Sequence, residues 1–96
     1  MHIISRKALV DFWLTHKDAE GPLRAWYSIG KSTNFETFAQ LKRSFGSIDK
    51  VGKFTVFDIG GNKYRLIAVV HYNRRKIYIR YVLTHKQYEA GHWKRE

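Results

Sequence analysis

The hydrophobic period of this chain changes once, near residue 53, and that change limits the folds open to it. Upstream, apolar side chains recur three and four residues apart. Ala8, Leu9, Phe12, Trp13 and His16 share one face of a predicted helix, for which Ser5 is a suitable N-cap. Leu23, Trp26, Tyr27 and Gly30 repeat the spacing after Gly21-Pro22, a proline placed as helix starts favour. A third helix is expected from Asn34, with Phe35, Phe38, Leu41 and Phe45 inward and Gly46 ending it. Residues 2–5 form a short strand candidate ahead of all three. These aromatic stripes read as packing rather than as a cofactor site.

Beyond residue 53 the period is two. Residues 53–59, 63–71 and 76–84 alternate as strands do, separated by the turn sequences Gly60-Gly61-Asn62 and Asn73-Arg74-Arg75. Tight turns join neighbouring strands antiparallel, so the three form a meander. A helical block followed by a strand block predicts an α+β fold, with the N-terminal helices covering one face of a small, mainly antiparallel curved sheet. Ninety-six residues without repeat or linker fit a single domain, residues 1–96.

Charge narrows the function. Eighteen Lys and Arg against eight Asp and Glu give +10, and residues 49–96 hold eleven basic and four acidic side chains of that total. Such an excess suits a polyanion, either nucleic acid or an acidic protein surface, and otherwise serves solubility. Cysteine is absent, which removes thiolate chemistry and disulfides. The opening Met-His-Ile-Ile-Ser-Arg-Lys has too short an apolar stretch for a signal peptide, and no long apolar run follows. A soluble, cytoplasmic protein with no membrane partner is expected.

Two arginines fall within the predicted strands. If Asn73-Arg74 is a two-residue hairpin loop, Arg65 faces Val82, Ile67 faces Arg80, and the two arginines are diagonal neighbours on one side of the sheet. Alternation would put Tyr78, Arg80, Val82 and Thr84 on a common face. A guanidinium within a small core needs solvent, a carboxylate or a bound anion, and Asp58 is the in-sheet carboxylate that could pair with Arg65. The acidic residues are scattered and suggest no carboxylate-paired or two-metal site. The histidines at 2, 16, 71, 85 and 92 lack metal-ligand spacing. No phosphate-binding glycine loop is present, since Gly60-Gly61 joins two strands. Neither a metal nor a small-molecule cofactor is expected. Cations, tyrosines and His85 remain, a set suited to RNA cleavage. RNA supplies its own nucleophile, the 2′-OH, and the protein needs only a base, an acid and cations for the phosphorane.

The run FDIGGNKYRLIAVVHYNRRKIYIRYVLTHKQYE, residues 57–89, resembles the HigB toxins of bacterial toxin–antitoxin modules, within the RelE-like superfamily. Its landmarks are the Gly-Gly-Asn-x-x-Arg hairpin and the YIRYVLTHKQY ending; one departure is Glu89, where the family pattern usually has Asp. The resemblance implies a RelE-like fold and a metal-independent endoribonuclease (an mRNA interferase) that cleaves messages on the ribosome. It also implies neutralisation by a HigA-like helix-turn-helix antitoxin. Carried over by position, the catalytic groups are Arg65, Arg80, His85 and Tyr88, with Lys63 and Lys86 as auxiliary RNA contacts. Arg74 and Arg75, at a hairpin tip, are expected to add to RNA binding without being needed for chemistry. Without catalysis, the same charges would serve a basic RNA- or ribosome-binding module, and His85 would merely hydrogen-bond the backbone at the strand end. Trp93, in the basic tail, either packs back on the sheet or stacks on RNA.

Overall fold

The computed structural model describes residues 1–95. In chain order the elements are β1 (His2–Ile4), α1 (Arg6–Thr15), a 3₁₀ turn (Lys17–Ala19), α2 (Glu20–Ser32), α3 (Phe38–Phe45), β2 (Ile48–Val51), β3 (Phe54–Ile59), β4 (Tyr64–His71), β5 (Lys76–Thr84), α4 (His85–Ala90) and a second 3₁₀ turn (His92–Arg95). The five strands form one mixed sheet in the order β1-β5-β4-β3-β2. Only β1 with β5 is parallel; the other three pairings are antiparallel.

Local chemistry sets most of these boundaries. Pro22 sits in the first turn of α2, where a missing N–H leaves no hydrogen bond unmade. The third helix begins at Phe38, four residues later than the apolar spacing suggests. Thr37 explains the delay, because its side chain accepts from Gln40 N at 3.2 Å and caps the helix there. Phe35 is still buried, but from the preceding loop. Ser5 stands in extended conformation before α1 and makes no side-chain cap. Strand β2 was not expected. Its sequence Ile-Asp-Lys-Val has one buried residue, so its pairing on the sheet edge leaves little trace in the hydrophobic pattern.

The helices cover one face of the sheet, as expected. Leu9, Leu23, Trp26, Leu41, Phe57, Leu66 and Ile77 form the core there. Gly30 lets α2 lie close to β1, since a Cβ at that position would come 3.0 Å from Ile3 Cδ1. The opposite face has its own smaller cluster. Phe54, Val56, Ile67 and Trp93 are buried together, with Tyr81, Leu83 and Tyr88 packed against them. Trp93 is only 3% exposed, so the basic tail folds back on the sheet. Covered on both sides, β3 and the first half of β4 are buried almost continuously rather than in alternation.

Candidate active site

The β4–β5 register decides which of the expected residues meet. From the hairpin end it runs as anticipated, His71 opposite Lys76 and Ala68 opposite Ile79. The register then shifts between Ile67 and Ala68, so that Ile67 faces Tyr81 and Arg65 faces Leu83. The expected pairs, Arg65 with Val82 and Ile67 with Arg80, are therefore replaced. Arg80 is the inserted residue of a β-bulge, a device that re-aims a side chain and bends its strand. The bulge also breaks the alternation expected of β5. Ile77, Ile79 and Val82 pack toward the helices, while Tyr81 and Leu83 join the opposite cluster. Arg80 itself is exposed.

Arg65 is 8% exposed, and each of its three nitrogens has a partner within the fold. Its Nε lies 3.0 Å from Asp58 Oδ1, directly across the β3–β4 ladder. Nη1 donates to Tyr64 O at 3.1 Å, and Nη2 donates to Asn62 Oδ1. Asp58 Oδ2 in turn accepts from Ser47 Oγ at 2.6 Å. The carboxylate alternative for Arg65 is thus realised. The guanidinium also lies 5.2 Å from the centre of the Tyr88 ring, which stacks on Trp93 at 5.2 Å with planes 14° apart. A cation–π contact of this kind holds the ring in a fixed plane. Trp93 Nε1 donates to Tyr88 O at 3.0 Å and closes the arrangement.

Tyr88 and His85 arrive on α4, a helix started by local sequence. Thr84 and Gln87 form a capping box, with Gln87 N on Thr84 Oγ1 at 3.2 Å and Thr84 N on Gln87 Oε1 at 3.0 Å. Gly91, at φ +77, ends the helix in the left-handed region. His85 N donates to Lys63 O at 3.1 Å, which ties the start of α4 to the start of β4. The His85 ring has Nε2 2.7 Å from Glu89 Oε1, one helical turn away, while Nδ1 is buried with no partner.

Lys63 reaches back to the helices. Its Nζ lies 2.6 Å from Asp18 Oδ2, and Tyr64 donates its hydroxyl to Asp18 Oδ1. Those two hydrogen bonds hold the Asp18 carboxyl below the usual carboxylate range. The same bonds raise the Lys63 ammonium and the Tyr64 phenol above their ordinary values.

One end of the sheet therefore gathers Lys63, Arg65, His85 and Tyr88, with exposed Lys86 beside them on α4. Arg74 and Arg75 are exposed at the opposite end, in the turn between β4 and β5, roughly 25 Å away along β5. Glu89, Asn62, Ser47 and Asp18 were not singled out from sequence as partners of this group. Glu89 could have been found, since it stands four residues after His85 on a short helix. Asp18 could not, being separated from Lys63 by forty-five residues. Among the described residues, no three His, Asp or Glu side chains come together as metal ligands would. Nor is any helix among them long and apolar enough to cross a membrane.

Residues 19–91 match the profile of the HigB_toxin family, described as the RelE-like toxic component of a toxin-antitoxin system. The chain belongs to the HigB toxin family. Its similarity to curated HigB proteins extends along most of their length. Over 92 residues it is 36% identical to the mRNA interferase toxin HigB of Escherichia coli (strain K12), covering 93% of this chain and 88% of that protein. The mRNA interferase HigB of Shigella flexneri gives the same figures. A more distant mRNA interferase HigB, from Escherichia coli O6:H1, is 26% identical over 92 residues, covering 93% of this chain and 89% of its own. The fold agrees with this membership, since its helices pack on one face of an open sheet of five strands, mixed in direction. The Gly-Gly-Asn turn and the Thr-His-Lys-Gln-Tyr segment that carried the resemblance both lie at the end of the sheet holding Arg65 and His85.

Proposed function

We propose that the protein is a metal-independent endoribonuclease toxin, which cleaves mRNA on the ribosome in the cytoplasm and is neutralised by a HigA-like helix-turn-helix antitoxin. The observation that carries the reading is the pairing of α4 with the start of β4. A group capable of proton transfer, His85, and a ring clamped by Arg65, Tyr88, occupy one short helix bordered by exposed cations. Membership of a family whose curated relatives are named mRNA interferases supports it.

In this reading a base takes the proton of the RNA 2′-OH as the O2′–P bond forms. The P–O5′ bond then breaks, and an acid protonates the departing O5′. His85 is assigned proton transfer, with Tyr88 as the second such group. Arg80 and Arg65 stabilise the phosphorane, Arg80 from the exposed bulge and Arg65 through a fixed charge that also orients Tyr88. Lys63, Lys86, Arg74 and Arg75 contact flanking phosphates. The products would be a 5′ fragment ending in a 2′,3′-cyclic phosphate, or in a 3′-phosphate once water attacks phosphorus and the P–O2′ bond breaks, and a 3′ fragment with a free 5′-OH.

A second reading, a basic module that binds RNA or the ribosome without cutting, is favoured by two contacts. The outward nitrogen of His85 is occupied by Glu89, and Arg65 is engaged by Asp58. Both readings are tested by incubating purified protein with programmed ribosomes in the presence of EDTA and mapping fragment ends. Cyclic or 3′-phosphate ends support the enzyme. Intact RNA with tight binding supports the module, and 3′-hydroxyl ends that require magnesium overturn the mechanism. Growth arrest on expression, relieved by co-expressing a helix-turn-helix partner, tests the toxin assignment separately.

A further inference from the structure

We propose that the cavity between β5 and the C-terminal turn receives one unpaired nucleobase of an RNA strand. This rests on the reading above and specifies how the strand is gripped. The cavity measures about 290 Å³ and is lined by Tyr81 and Leu83 of β5, Gln87 and Ala90 of α4, and His92 and Trp93 after it. That volume is near the lower bound of about 300 Å³ for small-molecule sites, so it suits one ring system rather than an extended ligand.

The lining has the two properties that base recognition needs. Tyr81, Leu83 and Trp93 give it apolar and aromatic walls, and every base has a π-face that such walls accept. Gln87 and His92 add hydrogen-bonding groups. The Gln87 Oε1 is held by Thr84 N, which leaves the amide NH₂ to donate to a base edge. The His92 side chain is exposed.

Basic charge around the cavity and hydrogen-bonding groups within it together favour an RNA strand as the occupant. Exposed Lys86, Lys94 and Arg95 belong to the same C-terminal segment, while Glu89, its acidic residue among those described, is paired with His85. An apolar side chain of a partner would fill the walls but leave the amide and the imidazole without a purpose. Tyr88 of the proposed site stacks on Trp93 of the cavity wall at 5.2 Å, so a base seated here lies next to that site.

The probes are the four ribonucleoside 3′-monophosphates, with ribose 5-phosphate and inorganic phosphate as controls. They are added to the full-length ¹⁵N-labelled chain while the Trp93 indole N–H and the Gln87 side-chain amide are followed by NMR. The nucleotides are expected to shift both signals and the controls neither. Ala90→Leu, at an exposed position where leucine is a good helix former, fills the cavity from its rim. It is expected to weaken nucleotide binding about tenfold or more and to raise KM for RNA more than it lowers kcat. Gln87→Glu preserves the capping box but removes the NH₂ donors, and is expected to reorder the preference among the four bases.

Equal shifts from ribose 5-phosphate would overturn the proposal, and so would unchanged nucleotide affinity in Ala90→Leu. The same holds if that variant binds nucleotides normally but escapes its antitoxin, which would assign the cavity to a protein. Binding is read here without cleavage. A chain that seats bases but never cuts RNA therefore defeats the enzymatic reading alone, and one that cuts RNA with the cavity unresponsive defeats this inference alone.

Discussion

His85 Nε2 lies 2.7 Å from Glu89 Oε1 across one turn of α4, while the other ring nitrogen is buried without a partner. The carboxylate accepts from Nε2–H, so the neutral ring is held as the Nε2-protonated tautomer. The solvent-facing nitrogen is the one that Glu89 occupies. An exposed i,i+4 pair stabilises a helix by only about 0.2–0.5 kcal/mol, so substrate can displace it at little cost.

His85→Gln should therefore slow the chemical step by about 10²–10⁴-fold while the protein stays folded. Glu89→Gln should reduce the rate by less than that and change stability by no more than about 0.5 kcal/mol. Single-turnover cleavage and urea denaturation of both variants check this pair of outcomes. A Glu89→Gln loss as large as that of His85→Gln would mean the carboxylate takes part in the chemistry itself.

Arg65 should prove structural as well as functional. Its ion pair with Asp58 is largely buried, and removing one partner of such a pair leaves an uncompensated charge costing about 3–5 kcal/mol. Arg65→Ala is expected to lose close to that amount in urea titrations, and to release Tyr88 from its stack, visible as a weaker near-ultraviolet circular dichroism signal. Replacing Asp58 and Arg65 together by apolar residues of similar size should restore most of the stability but not the activity. If Arg65→Ala unfolds at the wild-type urea concentration, the pair contributes nothing and this account fails.

Asp18 gives the fold an acid-sensitive clasp. Its carboxyl titrates below the ordinary value of 3.8 because Lys63 and Tyr64 donate to the ionised form. A carboxylate depressed in the folded state contributes stability above its unfolded pKa and loses it as pH falls through the folded one. The difference in Tm between wild type and Asp18→Asn should therefore be full at pH 7 and shrink progressively below about pH 4. A difference constant from pH 7 to pH 2 would rule the clasp out.

Arg74 and Arg75 at the hairpin end should govern association rather than chemistry. Each phosphate contact on a single strand contributes about −0.7 to the slope of log K against log salt. Arg74→Glu with Arg75→Glu is expected to flatten that slope by about 1.4 and weaken binding, while cleavage at saturating protein continues. Filter binding across a salt series, beside single-turnover cleavage, measures both. An unchanged slope would remove the hairpin from the RNA-binding surface.

Periodicity and caps are properties of neighbouring residues, and they determined most of this fold before any long-range contact. The helical spacing of Leu9, Leu23 and Trp26, the alternation after residue 53 and the Gly60-Gly61-Asn62 turn were enough for helices on a meander. Even α4 is local, since Thr84 and Gln87 start it and Gly91 ends it. The partners of the site residues depended instead on how distant segments meet. Arg65 finds Asp58 because β3 pairs with β4 in one register, and Lys63 finds Asp18 because the helical layer returns to the end of the sheet. Arg80 faces outward from a bulge that no alternation in the sequence marks. At that point the strand shifts by one residue, with Ile79 packed toward the helices and Tyr81 toward Trp93 on the other face. An inserted residue of this kind reverses every later side chain, so burial on both faces, rather than local preference, decided which groups stand together.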